Sequence, residues 1–154
     1  MTREPLRITL EGERAIRMVR RFAAPRDLVF AALTTPALLR RWYAELVSAE
    51  LDLRPGGTWR IVTRRPDGRE IGQHGSFREV EPPSRLVQTE HWEDWDPGEV
   101  LVTTELVEAA GVTTLDVLSE FPTAAVRELL VKAGMNDESV AHYDRLEDVL
   151  AELG

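Results

Sequence analysis

The stretch from His74 to Glu90 constrains this chain most. It reads His-Gly-Ser-Phe-Arg-Glu-Val-Glu-Pro-Pro-Ser-Arg-Leu-Val-Gln-Thr-Glu, two strand-like runs hinged on Pro82-Pro83. Proline fixes φ and carries no N–H, so a pair of prolines ends a hydrogen-bonded ladder and redirects the chain. Similar punctuation stands at Arg54-Pro55-Gly56-Gly57 and Pro66-Asp67-Gly68, and more weakly at Ala109-Ala110-Gly111. Between these breaks, strands are expected near 47–54, 58–64, 70–80, 85–92, 99–108 and 112–120. Connections this short imply an antiparallel meander.

The flanking segments follow other periods. Ile16, Met18, Arg20 and Phe22 alternate with their neighbours, which predicts a first long strand over 15–22. Leu6, Ile8 and Leu10 suggest a short strand over 6–10. Pro25 opens a helical period with Leu28, Val29, Ala32 and Leu33 on one face, and Asp27 suits the positive end of its dipole. Thr35 is the expected N-cap of a second short helix ending at Trp42. After Phe121-Pro122-Thr123 the chain turns helical again, and Gly134 interrupts it. Asp137 is the expected cap of a last helix over about 137–152, striped by Tyr143, Leu146, Leu150 and Leu153.

One amphipathic helix cannot bury its stripe alone, and a twisted antiparallel sheet needs a cover for one face. The expected fold is therefore α+β: a curved antiparallel sheet wrapped around a long C-terminal helix, with two short helices after strand one closing an end. The room left between sheet and helix is a natural ligand cavity. The chain's 154 residues fit one domain over 15–154, preceded by an N-terminal segment 1–14 that holds the short strand.

Composition excludes several functions. The net charge of −8 argues against nucleic acid as a partner, because phosphate binding needs clustered Lys and Arg in excess. Without cysteine there is no disulfide, thiolate metal site or cysteine nucleophile. No apolar run approaches the ~18 residues of a membrane span. Met1-Thr2-Arg3-Glu4-Pro5 lacks the apolar core of a signal peptide, so a cytoplasmic location follows by default.

Specific motifs also carry a resemblance. In order they are Ala24-Pro25, Val29-Phe30-Ala31-Ala32-Leu33-Thr34, Pro36, Trp42, Asp52-Leu53-Arg54-Pro55-Gly56-Gly57 and the segment from His74 to Thr89. Phe121-Pro122, Gly134-Met135 and Asp144-Arg145-Leu146 complete the series. In this order and spacing the chain resembles the activator of heat-shock protein 90 ATPase homologue-like family. That family lies within the START/polyketide-cyclase/birch-allergen (SRPBCC) superfamily. The resemblance implies the helix-grip fold. It implies activity weakly, since the superfamily puts lipid carriers, aromatase/cyclases, hormone receptors and co-chaperone domains on one scaffold. The family usually carries a Gly-Trp pair shortly after Gly-Met. Here Glu138 and Ser139 stand there, which changes one wall of any cavity.

The residues leave three functional readings open. The first is binding of a small apolar or aromatic molecule in the cavity, without efficient catalysis. Trp42, Trp59, His74, Phe77 and Tyr143 are its candidate contacts, because aromatics suit flat apolar ligands. They are also what any core uses, and that plain role is the stronger for Trp59 and Tyr143. The second is a polyketide cyclase/dehydratase-like enzyme with His74, Glu90 or His91 as acid or base. Residues 90 and 91 point to opposite faces of a regular strand, so they cannot share a site without a bulge. The third is a co-chaperone-like interaction module. No metal or cofactor is expected, because the three histidines lack tight ligand spacing. His142 is expected to face solvent. Arg20 shares the parity of Met18 and Phe22; if inward, it needs a partner such as Glu105 or Asp116. An open sheet edge also leaves a homodimer open.

Overall fold

The computed structural model describes residues 4–43 and 45–154, so Met1 to Arg3 of the N-terminal segment lie outside the described residues. Alternating segments become strands, and Gly or Pro ends most of them. β1 (Arg7–Glu11) and β2 (Ala15–Phe22) form the first hairpin. Two helices follow, α1 (Arg26–Thr34) and α2 (Pro36–Trp42). The meander comprises β3 (Leu46–Leu51), β4 (Thr58–Arg64), β5 (Glu70–Glu81), β6 (Arg85–Trp92), β7 (Val100–Ala109) and β8 (Val112–Glu120). α3 (Ala124–Lys132) and α4 (Met135–Leu153) end the chain. The eight strands make one antiparallel sheet in the order β1-β2-β8-β7-β6-β5-β4-β3. This is the helix-grip α+β arrangement.

Parity decides what faces α4. Ile16, Met18, Arg20 and Phe22 are all buried on one face of β2, opposite Ser119, Val117, Leu115 and Thr113 of β8. The C-terminal half of α4 closes on this face. Leu146, Val149 and Leu150 are buried in a core shared with Val29, Leu39, Trp42, Leu106 and Leu115. Full burial of one such leucine stabilises by about 1.5–3 kcal/mol. The N-terminal half of α4 has no fully buried residue; His142 and Tyr143 there are half-buried.

Four local expectations change. The last helix begins at Met135, with Gly134 (φ 96°) at its N-cap position. A positive φ there favours glycine; Asp137 lies in the first turn, where its charge still meets the helix dipole. Leu153 stays exposed at the helix end, and Val149 takes its place in the stripe. Thr35 makes no side-chain cap. Its backbone instead joins two helices: its N–H donates to Ala31, and its carbonyl accepts from Leu38 and Leu39. Arg20 is buried, but its partners come from α4, not from β7 or β8. It donates to Asp144 at 2.7 Å and to Glu147. Asp116 pairs with Arg17 and Glu105 with Arg85 instead.

Candidate functional site

Where α4 has no fully buried residue, the sheet and helix stand apart around a cavity of about 810 Å³. Ile16, Met18 and Val117 of β2 and β8 line it, as do Trp42, Tyr43 and Tyr143. Its rim carries exposed Leu129 and Trp95. An ion pair spans the rim from the β4–β5 turn to α4, Arg65 to Glu138 at 2.7 Å.

The aromatic wall is built where α2 ends beside α4. Trp42 donates its indole N–H to Ala32 at 2.9 Å, which fixes the ring. Tyr143 stacks on Trp42 with centroids 6.4 Å apart. Tyr43 stacks on His142 at 4.5 Å. His142 is therefore half-buried on the cavity lining, where solvent exposure was expected. Burial pushes its pKa below the ordinary value, and Arg145 adds to that.

Glu90 lines the same cavity from β6. Gln73 of β5 donates to its Oε1 at 3.0 Å. Among the described residues Glu90 makes no ion pair. Desolvation pushes its carboxyl up to about 7, against a smaller opposing pull from His91. Burial, then the charge of Glu90, raises the phenol of Tyr43 above its usual range and that of Tyr143 to about 12. Two tyrosines, a glutamine and a glutamate with a near-neutral pKa thus share one lining.

The other candidates lie elsewhere. His74 and His91 are register partners on β5 and β6, and the pleat sends both to the outer face. Their rings stack at 5.6 Å. His74 Nδ1 is 3.0 Å from Glu93, and His91 Nδ1 is 3.2 Å from Asp96. So His74 does not line the cavity, and Glu90 and His91 are split between faces. Trp59 and Phe77 also do not line it. They pack with Ile61 and Leu86, against Leu51 and Leu53, where the far end of the sheet fills itself. Gly75 makes this fit: a Cβ there would lie 1.8 Å from the Thr89 carbonyl oxygen, to which the Trp59 indole donates at 3.0 Å. Of the expected ligand contacts, Trp42 and Tyr143 meet at the cavity. Sequence reasoning missed Tyr43, Gln73 and His142. Gln73 shares the parity of Ile71, a readable signal. Tyr43 and His142 are only neighbours of aromatic candidates, and nothing in their pattern marks them. Among the described residues no group of three or more His, Cys, Asp or Glu could hold a metal ion. No described helix is long and apolar enough to cross a membrane.

Known structures share this architecture. A crystal structure of a Rhodobacter sphaeroides protein is 31% identical, covers 97% of this chain and 99% of its own, and has a TM-score of 0.89. A Nitrosomonas europaea protein is 26% identical over 93% of this chain and 97% of its own, with a TM-score of 0.83. CalU16 from Micromonospora echinospora is 25% identical over 94% of this chain and 83% of its own, with a TM-score of 0.66. No curated protein matches the sequence. The family model described as activator of Hsp90 ATPase homolog 1-like protein matches residues 23–151. With the helix-grip fold and this match over most of its length, the chain belongs to the activator of Hsp90 ATPase homolog 1-like family of the SRPBCC superfamily.

Proposed function

We propose that this chain binds a small apolar or aromatic molecule between the sheet and α4, as a cytoplasmic carrier or sensor without efficient catalysis. The observation that carries the reading is the cavity of about 810 Å³ with Trp42, Tyr43 and Tyr143 on its wall. Sites for drug-sized molecules have this size and are walled by aromatic side chains; here charged groups also stand on the lining. The split of Glu90 from both strand histidines supports the non-catalytic part. Mass spectrometry of small molecules released from the purified protein tests the reading, together with titration of an apolar fluorescent probe. A recovered molecule or single-site probe binding is expected. A protein that yields neither removes the reading.

Acid/base chemistry is the second reading, favoured by Glu90, whose carboxyl titrates near neutrality beside two tyrosines. Turnover of an aromatic polyketide-like precursor, lost in Glu90→Gln with binding retained, would establish it.

A further inference from the structure

The cavity is aromatic, and the one charge deep in it is negative. Glu90 accepts a hydrogen bond from Gln73 and has no cationic partner among the described residues. The cations on the lining are Arg64, Arg65 and Arg69, all near the β4–β5 turn. Each already faces a carboxylate: Arg64 to Glu70 at 3.0 Å, Arg65 to Glu138 at 2.7 Å, Arg69 to Asp67 at 4.0 Å. The other titratable groups on the lining are Tyr43 and Glu45 beyond α2, Asp94 beyond β6, and Glu138, His142 and Tyr143 of α4. None is a cation at neutral pH, since burial and Arg145 lower the pKa of His142. His91 is on the opposite face of β6. Arg20, on the inner face of β2, is engaged by Asp144 and Glu147.

Buried charges are stable when paired, and aromatic faces attract cations. We infer that the cavity's ligand is an aromatic amine, its ammonium seated against Glu90 and its ring system against Trp42 and Tyr143. This rests on the cavity-binding reading and adds the chemical class. The ammonium supplies the charge that Glu90 lacks, and the tyrosine rings add their negative faces. An aromatic acid in the same pose meets the Glu90 carboxylate and is repelled.

The pH dependence has a definite sign. The ammonium binds the ionised carboxylate, and burial holds the Glu90 carboxyl up to about 7. Affinity therefore rises with pH through neutrality and levels off above it.

The test uses three probes of one size: 1-naphthylmethylammonium, 1-naphthylmethanol and 1-naphthoate. Each is titrated calorimetrically into the whole chain at pH 6 and pH 8. At pH 8 the ammonium should bind roughly tenfold tighter than the alcohol, and the naphthoate weakest. From pH 8 to pH 6 the ammonium should weaken about tenfold while the alcohol holds. Glu90→Gln should remove both the preference and the pH dependence. Glu90→Leu should do the same, as a second variant should the first fold poorly. Equal binding of ammonium and alcohol, or a preference that survives both variants, overturns the inference and leaves the cavity reading standing. No binding by any probe overturns the cavity reading, and this inference with it.

Discussion

At the scale of single residues, Glu90 carries a carboxyl whose protonation is changed by the fold. A carboxyl with an ordinary value of 4.5 is held up to about 7 by burial. In the fold it keeps its proton where the unfolded chain has lost it. Its stabilising, protonated form is fully present below the unfolded value and is lost as pH rises through about 7. At about 1.36 kcal/mol per pKa unit, the penalty at pH 8 reaches at most about 3 kcal/mol. Glu90→Gln removes the charge and keeps an acceptor for Gln73. The variant should match the wild type in urea unfolding at pH 4.5 and exceed it by up to about 3 kcal/mol at pH 8. A variant no more stable than the wild type at pH 8 would mean that Glu90 is well solvated. Arg20 presents the opposite case. It is buried yet held by two carboxylates of α4, so its charge joins β2 to the helix and remains paired.

At the scale of elements, α4 has two jobs along one helix. Its C-terminal half is core, with Leu146 fully buried; its N-terminal half is cavity wall. Leu146→Ala should cost roughly 2–5 kcal/mol, since the leucine sits among rigid neighbours from α1, α2 and the sheet. Val140→Ala, exposed on the same helix, should change stability by less than about 0.5 kcal/mol. Chemical denaturation of both variants checks the contrast; similar costs would show that α4 is not divided in this way. The elements themselves were legible. The strands at 58–64 and 112–120 match expectation because turn residues pin both ends of each, and 85–92 matches with its start pinned by Pro82-Pro83. The end of β3 was less so: the chain leaves the strand at Asp52, whose N–H already pairs with Thr58, ahead of the Pro55 break. The start of α4 was misjudged because Gly134 reads as an interruption and acts as the first helical boundary.

At the scale of the whole molecule, the site was legible in part: the helix aromatics Trp42 and Tyr143 line it as expected, and on the strands parity decides. Period two alone separates Glu90 from His91, and the pleat does the same. Period two could not tell that Trp59 and Phe77 pack where the sheet closes on Leu51 and Leu53. Nor could it tell that Tyr43 and Tyr143, far apart in sequence, would meet Glu90. Sheet curl and helix placement fix those contacts, and both are global. The same geometry gives meaning to residues 138 and 139, where relatives usually carry Gly-Trp. Here Glu138 and Ser139 both line the cavity, one at the rim ion pair and one on the wall. A small hydroxyl where an indole is usual leaves space open. Ser139→Trp should place an aromatic ring into that space from a helix backbone already in position. An indole buries a large apolar area in a void, with no packed core to displace. The variant should unfold at the same temperature as the wild type or higher. It should bind 1-naphthylmethanol roughly tenfold more weakly, because ligand and indole compete for one volume. Calorimetric titration and thermal unfolding read the two effects separately. Unchanged affinity in a stably folded Ser139→Trp protein would mean that the ligand lies elsewhere, away from the wall that α4 presents.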